Sequence, residues 1–333
     1  MSADLPGLGP SEWVKFGPRT DVRRESVARG LDIPYVRKYS VFTSRRTFMP
    51  TRTSRSRFPA LTTFLICISW CLTGIWLFPQ NAAIHLQPLS REIIAQRLQR
   101  LHLQNAERET ELKSMFEEAG CEADRIQEQI VRRKDPPNII CTLPGATDSL
   151  IIVGAHFDHA EEGSGAVDDW SGASLLPSLY ETLKDTPPEH TILFVGFTDE
   201  EKGLVGSDFY VKHFPKDQLS NMKAMVNLEC LGLAPTEVWA HFANPELLAD
   251  LVRVTRALHV ELRAVNVEQV GNDDTQAFRD KKIPVITIHS ISQETWPILH
   301  SKKDNLNAIH LDDLYESYKV VATYLSYIDH VSH

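Results

Sequence analysis

The sequence predicts an α/β fold in which a mixed, mostly parallel central sheet carries helices on both faces. Apolar runs of strand length alternate with helix-like patterns through the C-terminal part of the chain, and this alternation is typical of such sheets. The 333 residues are 42% hydrophobic, which is enough for a substantial buried core. Acidic residues and histidines follow directly after several apolar runs, where open α/β sheets gather their ligands.

Each predicted element has a local signal. Residues 138–143 and 149–155 are strand-like runs joined by a turn that contains Pro144 and Gly145. A helix-like pattern over residues 171–183 is followed by Pro187 and Pro188. The other predictions are strands at residues 191–198, 222–228 and 284–288, and helices at residues 245–259 and 311–328.

Residues 86–120 are rich in Gln, Glu, Arg and Leu, with helix-like apolar spacing at Ile94, Leu98, Leu101 and Leu112. This pattern predicts an amphipathic helix packed on the domain that follows. A separate coiled-coil partner helix is the alternative.

Residues 61–78 form an uncharged run of 18 residues that follows an arginine-rich segment. Its length predicts a membrane-spanning helix, and the preceding positive charge predicts a cytoplasmic N-terminus with the rest of the chain on the exported side. Cleavage near Asn81 as a secretory signal, which would give a secreted protein, is the alternative. Residues 1–60 are predicted to be a basic, disordered tail, and Met49 is a candidate for the natural start.

Charge is unevenly distributed along the chain. Residues 1–60 contain twelve Lys and Arg against five Asp and Glu, a net charge of +7, so the total of −9 leaves −16 for the remainder. Nucleic-acid binding needs a basic face, and we therefore expect no nucleic-acid partner. An acidic domain suits a substrate with a cationic amine.

Three motifs bring together imidazoles and carboxylates. They are His156-Phe157-Asp158, Gly165-Ala-Val-Asp-Asp-Trp-Ser-Gly172 and Glu200-Glu-Lys-Gly-Leu-Val-Gly-Ser207, with Asn227-Leu-Glu229 and His300 further along the chain. Zinc binds neutral imidazoles and carboxylates, and a catalytic zinc site keeps one position open. The combination predicts a zinc-dependent hydrolase.

Two zinc ions roughly 3.5–4 Å apart can share a nucleophile and stabilise the oxyanion of a peptide under attack. Such a pair needs a bridging carboxylate, and Asp168 lies where the bridge would come from. A base must also take the proton of the attacking water. Of the adjacent Glu200 and Glu201, one can serve as a ligand and the other as the base.

This order of motifs resembles the aminopeptidase Y family of co-catalytic zinc exopeptidases, which also includes glutaminyl cyclases and non-catalytic receptor ectodomains. The resemblance covers residues 85–333, which it implies form a zinc exopeptidase domain. It also implies roles for individual residues: His156, Asp168 and Glu229 for one zinc, Asp168, Glu201 and His300 for the other, Glu200 as general base and Asp158 to orient His156. The family more often has Asp at the position of Glu229.

Three functions are compatible with these residues. The favoured one is an aminopeptidase that removes the first residue of a peptide with a free N-terminus. A glutaminyl cyclase is the alternative, although cyclases with one zinc typically lose parts of the second site. A non-catalytic ectodomain would be expected to lack Glu200 or a ligand, and all are present here.

Several residues allow more than one interpretation. His289 ends a strand-like run and is the alternative to His300 as the late ligand. Cys121 and Cys141 are compatible with a disulfide, whereas Cys230 is expected to be a buried thiol that points away from Glu229, since side chains alternate along a strand. Residues 272–274 either help to bind the substrate amine or form a solvated acidic loop.

Overall fold

The computed structural model describes residues 12–15, 83–267 and 271–331. The strands are β1 Glu12–Lys15, β2 Ala83–Leu86, β3 Ile126–Gln129, β4 Asn138–Leu143, β5 Thr147–His156, β6 His190–Phe197, β7 Met222–Glu229, β8 Glu237–Val238, β9 Arg263–Ala264 and β10 Val285–His289. The α-helices are α1 Arg91–Leu98, α2 Asn105–Glu118, α3 Ser171–Ala173, α4 Leu175–Leu183, α5 Val205–His213, α6 Pro245–Leu258, α7 Thr275–Arg279 and α8 Leu311–Val331. A π-helical turn spans Ala166–Trp170, and 3-10 helices span Ala123–Arg125, Leu219–Asn221, Trp296–Ile298 and Leu306–Ala308.

The centre of the fold is an eight-stranded sheet in the order β3-β4-β6-β5-β7-β10-β8-β9. The neighbouring strands β6, β5, β7 and β10 run parallel, while β3, β4 and β8 pair with their inner neighbours in antiparallel fashion. The predicted mixed, mostly parallel sheet is therefore confirmed. Strands β1 and β2 form a separate antiparallel pair.

Helices cover both faces of the sheet, as predicted. Along β5, Ile151 and Val153 belong to a core that includes apolar residues of α2, α4 and α8. The intervening Ile152 belongs to a second core with Tyr210 of α5 and Phe278 of α7. The strand is buried on both sides because successive side chains point to opposite faces.

The predicted strands and helices after residue 138 are confirmed, with boundaries within three residues of those expected. Helix α6 shows why the start of a helix can be predicted from sequence. Pro245 occupies its first position, and the Asn244 side chain accepts hydrogen bonds from the Glu246 and Leu247 amides at 2.9 and 3.2 Å. Both features are established signals for a helix start.

The single helix expected over residues 86–120 is wrong, because the segment forms α1 and α2 with a non-helical connection between them. Both helices pack against α4, while α1 also packs against α8 and α2 also packs against β4 of the sheet. The contact of α2 is close, since a Cβ on Gly196 of β6 would lie 2.4 Å from Leu112 Cδ2.

A disulfide joins Cys121, just after α2, to Cys141 of β4. It ties the N-terminal helices to the second strand of the sheet, and both cysteines are buried. Cys230 is a free, buried thiol.

The membrane segment expected at residues 61–78 lies outside the described residues, as does most of the basic tail. Within the part of the chain that the structure describes, none of the helices combines the length and the apolar character that crossing a bilayer requires.

Glu237 of β8 is a buried carboxyl group whose Oε2 has no hydrogen-bond partner among the described residues. Burial raises the pKa of Glu237 to about 7. Because the folded state holds this proton more tightly than the unfolded chain does, the associated stability is present below about pH 4.3 and is lost as the pH rises through about 7.

We expect Glu237→Gln to raise the melting temperature at pH 8 and to leave it nearly unchanged at pH 5, since glutamine stays neutral at both. The shift should be roughly 2–4 °C for each kcal/mol of relieved destabilisation. Calorimetry at the two pH values measures it, with the exposed Glu161→Gln as control. Equal effects of Glu237→Gln at both pH values would contradict the assigned titration.

Candidate metal centre

The carboxyl ends of the central parallel strands meet at one cavity of about 430 Å³. Strand β5 ends at His156, β7 ends at Glu229, and the turn after β6 carries Glu200 and Glu201. Ligands of open α/β sheets collect at this edge because the strand ends converge there. The fold therefore brings together residues that lie far apart in sequence.

Asp168 lies between two imidazoles. Its Oδ1 is 3.1 Å from His156 Nε2, and its Oδ2 is 3.1 Å from His300 Nε2. Two atoms bound to one tetrahedral zinc at 2.0–2.1 Å are about 3.3 Å apart. Each carboxylate oxygen of Asp168 can therefore share a separate metal ion with one histidine.

Glu229 and Glu201 add one carboxylate to each side of Asp168. Glu229 Oε1 is 3.6 Å from His156 Nε2, while Glu229 Oε2 accepts a hydrogen bond from Asn227 Nδ2 at 3.0 Å. Glu201 Oε2 is 3.1 Å from His300 Nε2. Asp168, Glu201 and His300 form one group of donor atoms within 4.8 Å of one another.

Asp158 links two of the sequence motifs. Its Oδ1 and Oδ2 accept hydrogen bonds from the Glu200 and Glu201 amides at 2.9 and 3.2 Å. Oδ1 also lies 3.5 Å from His156 Nδ1, on the side of the ring opposite to Asp168. Asp158 thus fixes the turn that carries both glutamates, and it lies on the side of His156 from which it could orient the ring.

Asp169 supports the site from behind. Its Oδ1 accepts hydrogen bonds from the Gly172 and Cys230 amides at 3.1 and 3.0 Å. It also belongs to a group of potential metal donors with His156 and Glu229. Because its Oδ1 is used by these amides, Asp169 connects the loop of Asp168 to the end of β7.

The expectation that Cys230 points away from Glu229 is wrong. Its Sγ donates towards Glu229 Oε1 at 3.4 Å, and the residue lines the cavity. Strand β7 ends at Glu229, and Cys230 has a left-handed φ of 49°. Strand alternation therefore no longer applies at this residue. Burial raises the pKa of the Cys230 thiol well above its usual value.

His289 lines the cavity but is held by the backbone through both ring nitrogens. Its Nε2 lies 3.1 Å from the Val265 carbonyl, and its Nδ1 accepts a hydrogen bond from the Ile291 amide at 3.0 Å. Burial lowers its pKa to about 4. Neither nitrogen is free to bind a metal, so the geometry favours His300 over His289.

The loop at residues 272–274 is not a solvated acidic loop, since Asp273 and Asp274 are buried. Asp273 Oδ1 accepts a hydrogen bond from the Thr275 amide at 3.0 Å, and Oδ2 accepts one from the Thr287 hydroxyl. Asp273 thereby connects the start of α7 to β10. Burial raises the pKa of Asp274 to about 8.

The cavity concentrates negative charge. Of the described residues that line it, six are Asp or Glu and none is Lys or Arg. Burial raises the pKa of both Glu200 and Glu229, and the side chains of Asp168 and Glu201 raise the pKa of His300 to about 10. Divalent cations fit this donor set, because they balance several carboxylates at once and bind to the oxygens and imidazoles present.

One wall of the cavity is apolar. Trp239, Val267, Ile291 and Leu299 line it beside the carboxylates. The sequence motifs did not identify these residues, because they come from separate loops and have no common spacing. Asp208, which also lines the cavity, stands one residue after the Glu200–Ser207 motif and could have been found from that position.

Comparison with known sequences gives a match to Peptidase family M28 over residues 138–325. The chain belongs to this family. Aminopeptidase Y of Saccharomyces cerevisiae is 32% identical over 156 residues, which is 44% of this chain and 29% of that protein. The family resemblance stated from the motifs is therefore confirmed. The chain spans less than half the length of the curated relatives it matches.

Solved structures show the same fold. Legionella pneumophila LapA aminopeptidase superposes with a TM-score of 0.61 at 22% identity, covering 73% of this chain and 72% of that one. The glutaminyl cyclase of an Acidobacteriales bacterium superposes with a TM-score of 0.58 at 19% identity, covering 72% and 93%. At these identities the likeness concerns the fold, which aminopeptidases and cyclases share.

Gly165 is required for the path of the Asp168 loop. Its φ is +54°, and a Cβ there would lie 2.3 Å from His159 Cβ and 2.8 Å from the Asp168 carbonyl oxygen.

We expect the substitution Gly165→Ala to displace Asp168, so that the variant protein loses zinc during dialysis. Gly203→Ala is the matched control, since Gly203 also has a positive φ, +95°, but has nothing within 4 Å of such a Cβ. Equal zinc retention by the two variants, measured by elemental analysis, would contradict this role.

Proposed function

We propose that this protein is a dinuclear zinc aminopeptidase. The observation that carries the proposal is the position of Asp168, whose two oxygens each lie 3.1 Å from a different histidine. A carboxylate in this position can bridge two ions. Membership of Peptidase family M28 and the aminopeptidases among its relatives support zinc and peptide substrates.

The proposed ligands divide into two sets that share Asp168. His156, Asp168 and Glu229 would hold one zinc, and Asp168, Glu201 and His300 would hold the other. The separations of 3.1–3.6 Å between the imidazole nitrogens and these carboxylate oxygens support both sets. Glu229 keeps the carboxylate chemistry that the site needs, although the resembling family more often has Asp there.

Glu200 is proposed as the general base. Zinc, when bound, polarises the peptide carbonyl and makes water a stronger nucleophile at neutral pH. Glu200 lines the cavity but is absent from the donor groups around Asp168, so its carboxylate remains free to take the proton of the attacking water. It then passes the proton to the nitrogen of the leaving peptide. Asp158 holds Glu200 in place through its amide.

The charge of the cavity favours the amino end of a peptide. A carboxypeptidase needs a cation for the terminal carboxylate of its substrate, and no described lining residue is Lys or Arg. A protonated or metal-bound amine is stabilised by the same carboxylates that would repel a carboxylate. The apolar wall formed by Trp239, Val267, Ile291 and Leu299 offers a surface for the first side chain.

A glutaminyl cyclase is the second candidate, because a cyclase shares the fold with a TM-score of 0.58. In that reaction the peptide's own amine attacks the side-chain amide of a first glutamine and ammonia leaves. The presence of both complete proposed ligand sets supports the aminopeptidase instead. A non-catalytic ectodomain is disfavoured because Glu200 and four of the five proposed ligands line one cavity, and the fifth, His156, lies 3.1 Å from Asp168.

We further propose that the domain lies on the exported side of a membrane, anchored through residues 61–78. The buried disulfide between Cys121 and Cys141 supports this location, because disulfides persist in oxidising compartments. Secretion after cleavage of the segment is the alternative.

We expect the zinc-loaded full-length protein to release the intact first residue from a short peptide that begins with glutamine. Mass spectrometry separates the outcomes, because aminopeptidase action removes a whole residue whereas cyclase action removes ammonia alone. Glu200→Gln should retain zinc and lower kcat by about 10²–10⁴-fold. The adjacent Glu201→Gln is the matched control and should lose zinc as well as activity.

Loss of ammonia without loss of a residue would overturn the aminopeptidase proposal in favour of the cyclase. An unchanged peptide, together with unchanged peptides starting with leucine, alanine and lysine, would overturn both enzymatic proposals. Full activity of Glu200→Gln would remove Glu200 as the base.

The two candidate histidines can be separated by metal content. We expect His300→Ala to reduce zinc from about two ions per chain to about one, because one proposed set loses its only imidazole. His289→Asn should keep both ions, since His289 is held by the backbone. Elemental analysis after dialysis is the measurement, and the reverse pattern would show that His289 is the ligand.

A further inference from the structure

Arg108 is a fully buried arginine on α2, with none of its surface exposed. It precedes residues 138–325, which match the peptidase family. Buried arginines are rare unless their charge is compensated. The groups that compensate the buried charge of Arg108 therefore indicate what the side chain does in the fold.

The guanidinium donates to backbone carbonyls at both ends of residues 157–165, the connection between β5 and the π-helical turn that contains Asp168. Nη1 lies 3.0 Å from the Phe157 oxygen and 3.4 Å from the Gly165 oxygen. Nη2 donates to the Ser164 oxygen. Nε donates to the His102 oxygen at 2.8 Å, which fixes the guanidinium to the end of the connection before α2.

Each end of this connection adjoins a proposed zinc ligand. Phe157 directly follows His156, and Ser164 and Gly165 come shortly before Asp168. The planar guanidinium has donors at fixed angles, so it sets the separation between these two segments. A shorter or more flexible donor could not bind both sets of carbonyls with the same geometry.

A second loop, which contains Asp304, binds the amides of the segment before Asp168. Asp304 Oδ1 accepts a hydrogen bond from the Val167 amide at 2.8 Å, and the Asp304 carbonyl accepts one from the Ser164 amide at 2.8 Å. Asp304 stands four residues after His300. The segment that leads to Asp168 is thus held by Arg108 through its carbonyls and by Asp304 through its amides.

The charge of Arg108 also matches its surroundings. Burial lowers its pKa to about 10, and nearby Asp158, Asp304, Asp168 and Asp169 counteract this effect. The side chain therefore remains cationic at neutral pH. A fixed cation behind these carboxylates reduces their mutual repulsion.

We infer that Arg108 is a positioning residue of the metal centre, which holds the segment leading to Asp168 at the separation from the His156 end of β5 that zinc binding requires. The inference rests on the ligand sets of the proposed function. Arg108 contributes no metal ligand and touches no substrate. Through Arg108, the N-terminal helices contribute to the metal centre although they lie outside the matched residues 138–325.

Arg97 of α1 provides a matched control. It is also a buried arginine, 8% exposed, but it donates to Ser178 Oγ at 2.9 Å and to Glu181. Both partners belong to α4 and neither carries a metal ligand. Replacing either arginine by methionine removes a buried cation from the N-terminal helices. Only Arg108→Met also removes the hydrogen bonds to the backbone beside the proposed zinc ligands.

The experiment compares Arg108→Met, Arg97→Met and Arg108→Lys in the full-length protein. Zinc affinity is measured by competition with a chelator, and site geometry by the visible spectrum of the cobalt(II) form. We expect Arg108→Met to weaken zinc binding by about 10–100-fold, the range found when residues that orient metal ligands are removed, and to change the cobalt spectrum. Arg97→Met should lower the melting temperature with affinity and spectrum unchanged, and Arg108→Lys should recover part of the affinity.

Zinc affinity and cobalt spectrum of Arg108→Met equal to those of Arg97→Met would overturn the inference. If Arg108→Met does not fold, Arg108→Lys decides: wild-type affinity refutes the role, and weakened affinity with a near-wild-type melting temperature supports it. A wild-type protein that bound no zinc would refute the proposed ligand sets and this inference together. A wild type that binds zinc normally beside an unaffected Arg108 variant refutes the role of Arg108 alone.

Discussion

Repulsion between buried carboxylates is the constraint on which this structure depends. Asp168, Glu201 and Glu229 border one cavity with Glu200, and no described lysine or arginine lines that cavity. Like charges this close raise one another's pKa unless cations or hydrogen-bond donors compensate them. The fold supplies the imidazole of His300 on the cavity side. Behind the cavity, backbone amides donate to the neighbouring carboxylates of Asp158 and Asp169.

The parallel strands determine which proposed ligands are held rigidly and which need further support. Their carboxyl ends deliver His156 and Glu229 in rigid positions, while Asp168 and His300 arrive on loops. The loops therefore need their own supports. Asp304 and Asp169 use carboxylate oxygens to bind amides of the Asp168 segment and of the turn after β7. Many charged groups of this domain thus hold the backbone that carries the ligands, beside the few that can bind a metal.

Much of the fold and the proposed ligand set could be predicted from sequence. Buried parallel strands give continuous apolar runs, so residues 149–155 and 222–228 were recognisable, and the polar residues after them marked the edge of the sheet. Other features gave misleading signals. The apolar spacing from Ile94 to Leu112 suggested one helix, because periodicity does not reveal the non-helical connection between Leu98 and Asn105. Cys230 was misplaced because strand alternation does not register a left-handed residue at the strand end.

The sequence by itself determined the fold class, the family and the set of groups available for metal binding, since these depend on local periodicity and on residue types at short spacing. Only the tertiary structure favours His300 over His289 as the proposed ligand, because that choice depends on which ring nitrogens the backbone already occupies. It also decided the place of Arg108, which stands four residues before Leu112 on the buried side of α2. Which carbonyls that guanidinium reaches depends on contacts between segments about fifty residues apart, and no local pattern encodes such contacts.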